Sequence, residues 1–342
     1  MEAEKVKVCV VGAGRAGEVH ALNLSNRIPL AELTAIVDQD LNLARQLSEK
    51  VGKVNVYQAL GDALKKEEIE AVFITTPTFT HASLTLEAAE AGVHVFCEKP
   101  MALNLEEADK MISATRKNNV KLQIGFMRRF DPEIRRVKSL IAEGAIGRPV
   151  LVKSLTRGPG LPPKWALDPK TGIGMIAEVS SHDFDSVRWL MGNEVKSVYA
   201  EADALIHPEF KKEYSIYHDV YVAILRFENN GIGLIDGGCP VGYGYDARIE
   251  ILGTEGFIMV GDVKGSSLLL CKSDKKAVTE TFQSWRNRFY EGYIGEAESF
   301  LRAIIEDRPP EVTGEDGKKA LELVLAAIES MKENKPVQLP LQ

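Results

Sequence analysis

The stretch Val8-Cys9-Val10-Val11-Gly12-Ala13-Gly14-Arg15-Ala16-Gly17 decides how the first half of the chain reads. Four apolar residues of strand character run into glycines spaced Gly-x-Gly-x-x-Gly, and a helical pattern follows at once. Glycines at these positions allow a tight turn, close approach of backbone to a pyrophosphate, and a helix packed hard against a strand. The start of the helix then offers free N–H groups and the positive end of its dipole to the phosphates. Gly12, Ala13, Gly14, Arg15 and Ala16 are therefore candidate dinucleotide-binding residues. The motif alone is weak, because glycines punctuate many turns. It gains weight from the next strand, Leu33–Val37, which ends on Asp38, where a carboxylate can accept hydrogen bonds from ribose hydroxyls. Asp38 stands a little further along than the roughly 20 residues usual for this fingerprint. It favours NAD over NADP, since a 2′-phosphate there would meet a negative charge with no clear arginine beside it.

Outward from this motif, strand-length apolar runs alternate with amphipathic helical stretches up to about residue 125. The strand candidates are Val6–Val11, Leu33–Val37, Val54–Tyr57, Ala71–Thr75, His94–Glu98 and Lys121–Gly125. Continuous apolar strands separated by helices indicate a parallel sheet covered on both faces. The expected class is α/β, with a doubly wound Rossmann domain over residues 1–125. After the helical stretch Pro132–Glu143 and the link Gly144–Pro149 the grammar changes to successive strands with tight turns, such as Glu228-Asn229-Asn230-Gly231. That pattern implies an open, mainly antiparallel sheet in a second α+β domain over residues 126–342. One prominent helix ends near Gly192, and late helices over Ile294–Ile305 and Gly317–Glu333 are expected to pack back on the first domain.

The chain has 342 residues, 45% of them hydrophobic, and a net charge of −7. This length suggests about two domains of roughly 150 residues, each able to bury its own core. An acidic chain lacks the basic footprint that nucleic-acid backbones select, so no nucleic-acid partner is expected. Cys9, Cys97, Cys239 and Cys271 form no CxxC pair, which argues against a disulfide framework or structural zinc. No metal is expected at His81 or His182, neither of which has a second ligand at a familiar spacing. The charged opening residues run straight into a strand, and no apolar stretch approaches the roughly 20 residues needed to cross a bilayer. A cytoplasmic protein without a membrane partner is the expectation.

Two segments fall at the C-terminal ends of strands, where open α/β sheets bind ligands. Thr76-Pro77-Thr78-Phe79-Thr80-His81 follows the fourth strand, and Glu98-Lys99-Pro100 the fifth. Lys99 reads either as a surface lysine or as a charge beside a nicotinamide. Glu178 and His182 stand i,i+4, so on a helix they share a face, as an ordinary surface pair or as a carboxylate holding an imidazole. Arg128 and Arg129 either balance Asp131 and Glu133 or anchor a substrate. Arg157, Tyr243 and Tyr245 are candidate donors to hydroxyl groups, with packing as the alternative for the tyrosines. Trp165 lies in a loop that would suit a cover.

Together these residues resemble the glucose–fructose oxidoreductase / inositol dehydrogenase (Gfo/Idh/MocA) family along the whole chain. The likeness rests on the Gly12 fingerprint, Thr76-Pro77 with His81, Glu98-Lys99-Pro100, Gly125-Phe126-Met127-Arg128-Arg129-Phe130-Asp131, and His182-Asp183-Phe184-Asp185 with Trp189-Leu190-Met191-Gly192. The Gly125 stretch and Tyr243-Gly244-Tyr245-Asp246 resemble the inositol 2-dehydrogenase branch in particular. The resemblance implies an NAD cofactor, a polyol or sugar substrate, reversible oxidation of a ring hydroxyl, and a homotetramer. It implies that Lys99 touches the reacting hydroxyl and that His182 accepts its proton. The strand-end segments make Thr76, Pro77, His81, Glu98 and Lys99 candidate cofactor contacts, and Lys99 and His182, with Arg128, Arg157 and Tyr245 by their position and donor chemistry, are the candidate substrate contacts. One position departs from the pattern. Glu178 stands where the dehydrogenases carry an aspartate, keeping the carboxylate on a side chain longer by one methylene. Two rival readings use the same fold: an NAD-dependent lyase or glycosidase that oxidises only transiently, and a non-catalytic dinucleotide or sugar sensor.

Overall fold

A computed structural model describes residues 5–341. The chain runs β1 (Val6–Val11), α1 (Arg15–Asn26), β2 (Ala31–Val37), α2 (Leu41–Lys50), β3 (Asn55–Tyr57), α3 (Leu60–Lys66), β4 (Ala71–Ile74), α4 (His81–Glu90), β5 (His94–Glu98), α5 (Leu105–Lys117) and β6 (Leu122–Gly125). It continues through α6 (Pro132–Ala142), β7 (Pro149–Arg157), α7 (Lys164–Leu167), α8 (Met175–Met191), β8 (Val195–Asp203), α9 (Phe210–Glu213), β9 (Val220–Phe227), β10 (Ile232–Gly238), β11 (Asp246–Gly253) and β12 (Phe257–Val260). The last elements are β13 (Lys264–Cys271), β14 (Ala277–Thr281), α10 (Trp285–Arg288), α11 (Tyr290–Ile305), α12 (Gly314–Glu333) and β15 (Val337–Gln338).

Residues up to Phe130 form one compact unit together with Glu291–Leu321. Its six-stranded sheet has the order β3-β2-β1-β4-β5-β6 with every pair parallel. This is the strand order of a dinucleotide fold, and it places the reversal of winding between β1 and β4. The strands are buried along most of their length, so they carry Val, Ile, Phe and Cys almost without interruption. Helix α11 joins this unit through aromatic packing. Phe73 on β4 and Phe96 on β5 stack at 4.8 Å, and Phe300 on α11 meets their edges at 5.7 and 5.9 Å. A fully buried phenylalanine contributes about 1.5–3 kcal/mol, which accounts for the late segment's place beside the early sheet.

The second unit comprises Asp131–Tyr290 and the chain from Glu322 on. Its seven-stranded sheet runs β12-β11-β7-β10-β9-β8-β15. All its pairs are antiparallel except β7 with β10, so the sheet is mixed. Helix α8 covers one face, where Gly233 on β10 leaves room for Val187: a Cβ there would lie 2.7 Å from the valine. The register puts Ile224, Leu234, Lys153, Glu250 and Met259 in one row on the other face. Val222, Ile224, Ile232, Leu252, Phe257 and Met259 are exposed there. Strands β13 and β14 form a separate two-stranded ribbon.

Candidate active site

The first unit gathers most of the residues expected to hold a cofactor. Strand β1 delivers Gly12 to the end of the sheet with φ +103°, and a Cβ there would stand 2.9 Å from the Thr75 carbonyl and the Thr76 nitrogen. At Gly17 a Cβ would lie 1.8 Å from the Gly12 oxygen, so the turn and the start of α1 close only on glycine. Gly14 caps α1 without a side-chain hydrogen bond and has open space where a Cβ would be. The first turn of α1 thus begins without a side-chain cap beside open space at Gly14, an arrangement that suits a pyrophosphate. Asp38 is fixed beside this loop. One carboxylate oxygen accepts the Ala13 N–H at 2.7 Å and the other the Asp40 N–H at 2.8 Å. Arg15 is exposed and Ala16 half-buried on the first turn of α1. These residues fit a dinucleotide with a free ribose 2′-hydroxyl.

The neighbouring strand ends are braced by buried side chains. Thr75 donates to the Val11 and Gly12 carbonyls at 3.0 and 2.9 Å, tying β4 to the glycine turn. Thr76 and Pro77 are half-buried, and Thr80 donates to the Thr76 hydroxyl and the Pro77 carbonyl. His81 is buried, with Nδ1 at 2.9 Å from the Pro100 carbonyl and Nε2 at 2.9 Å from the Thr76 carbonyl. Burial outweighs those two carbonyls and lowers its pKa. Both ring nitrogens are occupied by backbone, so His81 ties the loop after β4 to the loop after β5. Lys99, half-buried, follows the last residue of β5, and its backbone N–H donates to Glu98 at 3.2 Å. Glu98 itself is buried, and its other oxygen lies 2.8 Å from His20 Nε2.

Arg128 and Arg129 follow β6 and are buried, at 1% and 7% exposure. The Arg129 guanidinium donates to Asp316 at 3.0 Å. Burial would raise the Asp316 pKa, but Arg129 and the Thr313 backbone and hydroxyl hold its carboxyl below the usual range. Arg129 is therefore committed within its own unit.

The second unit carries the proposed base. Helix α8 starts after Gly174, whose φ is +86°, and ends at the left-handed Gly192. On it His182 is 6% exposed and Glu178 half-buried, one turn apart. The adjacent Asp183 locks this helix to the sheet. Ser154 and Thr156 of β7 donate to one of its oxygens at 2.6 and 2.8 Å, and Ser180 donates to the other at 2.7 Å. His218 holds the first turn of α8 by accepting the Ile176 N–H at 3.1 Å. Burial lowers its pKa to about 4 despite the nearby Ile216 carbonyl and Asp219, which keeps the ring neutral and able to accept.

Arg157, at the end of β7, makes a two-pronged ion pair with Asp236 at 2.7 and 3.0 Å. Tyr245 is buried edge-on to Phe289 at 6.2 Å, and Tyr243 is exposed with its hydroxyl on Asp246 at 3.0 Å. Trp165 is half-buried on the short helix α7. Asp183, His218, His20 and Glu296 were missed by sequence reasoning. Asp183 stood inside a quoted motif, but nothing local marked the three hydroxyls that converge on it.

Comparison with known proteins agrees with this geometry. An oxidoreductase-family model for the NAD-binding Rossmann fold matches residues 6–126, and the family's C-terminal alpha/beta domain matches residues 138–339. The chain belongs to the Gfo/Idh/MocA oxidoreductase family. Family members similar to it include the myo-inositol 2-dehydrogenase of Thermotoga maritima, 35% identical over 98% of both chains. The NAD-dependent scyllo-inositol 2-dehydrogenase of Bacillus subtilis is 33% identical over 98% of this chain and 96% of that one. Among solved structures, the scyllo-inositol dehydrogenase of Lactobacillus casei with bound NAD(H) and scyllo-inositol superposes with a TM-score of 0.90, at 27% identity over 98% and 99% of the two chains. As a member of this family, the chain is an NAD-dependent oxidoreductase. None of its described helices is long and apolar enough to cross a membrane.

Proposed function

We propose that this protein oxidises a ring hydroxyl of a cyclic polyol of the myo- or scyllo-inositol kind, or of a related sugar, to the ketone. Whole-length similarity to inositol dehydrogenases, with Lys99 at the end of β5 and His182 on α8 both retained, carries this reading. Bound NAD supplies an acceptor for hydride at nicotinamide C4. The alcohol must also lose its hydroxyl proton. An imidazole exchanges protons near neutral pH, which suits His182 for that step. The Lys99 ammonium stabilises negative charge as it develops on the oxygen. Glu178 orients His182, and Asp183, clamped to β7, holds the helix that carries both. In this account Gly12, Ala13, Gly14, Arg15, Ala16, Asp38, Thr76 and Pro77 bind the dinucleotide, while His81 and Glu98 shape the loops around it. Arg128, Arg157 and Tyr245 are the proposed polyol contacts.

A homotetramer in the cytoplasm completes the proposal. The apolar face of the seven-stranded sheet supports association, because six large hydrophobic side chains exposed on one face exceed the scattered ones of ordinary surfaces. The functional reading is tested with purified protein and NAD against a panel of inositols and aldoses, following NADH absorbance. NADH formation with at least one inositol is expected. Consumption of a substrate that requires NAD but yields no NADH would move the assignment to a lyase.

A further inference from the structure

His20 of α1, Glu98 of β5 and Glu296 of α11 meet inside the first unit. His20 and Glu296 are fully buried and Glu98 is 7% exposed. His20 Nε2 lies 2.8 Å from one Glu98 oxygen and 3.9 Å from a Glu296 oxygen. The other Glu98 oxygen accepts the Lys99 backbone N–H. Around the imidazole stand Phe73, Phe96 and Tyr293, with ring centroids 5.0–5.6 Å away. His20 Nδ1 and both Glu296 carboxyl oxygens have no hydrogen-bond partner.

These contacts set the hydrogen-bond roles. Nδ1 has no partner among the aromatic rings, so the ring reaches Glu98 through its Nε2–H. Glu98 receives two N–H donors, from His20 and from the Lys99 backbone, whereas the Glu296 carboxyl is buried with none. Burial first, and then the Glu98 charge, push the Glu296 carboxyl well above the usual carboxylate range. Room for Glu98 depends on Gly125, where a Cβ would come within 3.2 Å of its carboxyl group. Gln123 fixes α11 from the adjacent strand by donating to the Glu296 carbonyl at 2.8 Å. Cys97 and His81 are the other titratable groups that feel Glu98.

We propose that His20, Glu98 and Glu296 form a positioning unit for Lys99. The imidazole holds Glu98, Glu98 holds the Lys99 backbone, and Glu296 stands 3.9 Å from the same imidazole nitrogen. The inference rests on the reading that Lys99 acts on the substrate oxygen. The same three side chains place ligand-type atoms within 4.8 Å of one another, so a bound divalent cation is the competing occupant. The 2.8 Å contact fits an N–H donated to a carboxylate, and the aromatic surround offers no fourth ligand among the described residues.

The test uses the full chain with NAD and whichever inositol the wild type oxidises. His20→Leu is expected to lower kcat about 10-fold or more, per NADH-binding site, with KM for NAD changed less than about 2-fold. His20→Gln, which restores an N–H donor, is expected to recover most of the loss. Glu296→Gln, neutral and equal in size, is expected to keep at least a third of kcat where Glu296→Leu does not. Infrared spectra of the wild type are expected to show a protonated carboxylic acid band that Glu296→Gln abolishes. In a Lys99→Ala background His20→Leu is expected to cost nothing further, because the two act through one contact. If Lys99→Ala alone keeps the wild-type kcat, the role of Lys99 fails and takes this inference with it. If Lys99→Ala is impaired but His20→Leu adds its full loss on top, the inference alone fails. It also fails if no such infrared band exists, or if purified protein holds stoichiometric metal that Glu296→Gln releases.

Discussion

At the scale of single residues, a few side chains decide cofactor choice and the order of the chemistry. Asp38 is already held beside the glycine turn by the Ala13 and Asp40 N–H groups, so it would meet the ribose in the proposed site without rearrangement. Hydrogen bonds to a charged acceptor contribute about 1.5–3 kcal/mol each, and a 2′-phosphate would meet repulsion instead. The expected preference for NAD over NADP is about 100-fold in kcat/KM, read from steady-state kinetics with both cofactors. Equal efficiency would remove Asp38 from the cofactor site. The reacting groups differ in what their loss does. Lys99→Ala is expected to cost about 100-fold or more in turnover, the usual worth of one donor to a developing oxyanion. His182→Ala is expected to cost at least as much, about 100-fold. The wild-type rate of oxidation is expected to rise with pH, because only the neutral imidazole accepts a proton. If Glu178 orients His182 as proposed, its charge favours the imidazolium, and Glu178→Gln should lower the midpoint of that profile. A flat profile with hydride transfer limiting, together with an active His182→Ala, would overturn His182 as the base. The glycine turn with Asp38 beside it was legible from strand, glycine spacing and a following acidic residue, whereas Lys99 read either way from its position and took its expected role from the family resemblance. Glu98 was legible as a motif but not in its role, since its partner His20 lies far away in sequence.

Elements were legible where a local pattern fixes them. Strand β1 ends at Gly12 and helix α8 at Gly192, as the sequence indicated, and the early strands fall within about two residues of their expected limits. Pairing across long loops was not legible. The parallel match of β7 with β10 has no turn to announce it, and the exposed β13–β14 ribbon lacks a buried face to set a period. The boundary at residue 125 likewise gave no hint of how far into α12 the first unit reaches, because that depends on which face of each late helix finds an aromatic partner. Helix α8 makes a prediction of its own. His218 accepts the Ile176 N–H while neutral, with its pKa held at about 4 by burial. An unfolded histidine titrates near 6.5, so the unfolded chain binds this proton first as pH falls. Stability is therefore complete above about pH 6.5 and declines toward pH 4, by on the order of 3 kcal/mol from this group. Urea unfolding across that range is expected to show the decline, with a shallower slope in His218→Gln. Some slope should remain, because burial also lowers His81 and His94. An unchanged slope in the variant would show that His218 is not buried neutral.

Across the whole molecule, each unit joins a sheet to one group of the proposed site residues. The parallel sheet presents the glycine turn, Asp38 and Lys99 at the ends of its strands, and the mixed sheet supports α8 with Glu178 and His182. The mixed sheet also leaves Ile224, Leu252, Phe257 and Met259 in water on its other face. Light scattering is expected to give about four chain masses, and Ile224→Glu with Met259→Glu is expected to give a smaller particle. A monomeric wild type would contradict association through this face. The central claim is net transfer of a ring hydride from a cyclic polyol to NAD. It is tested most directly with an inositol deuterated at its ring carbons, followed by mass spectrometry of both cofactor and product. One deuterium in the reduced cofactor is expected for each molecule of ketone formed. Deuterium returned to a dehydrated or cleaved product, or none transferred although NAD binds, would contradict it.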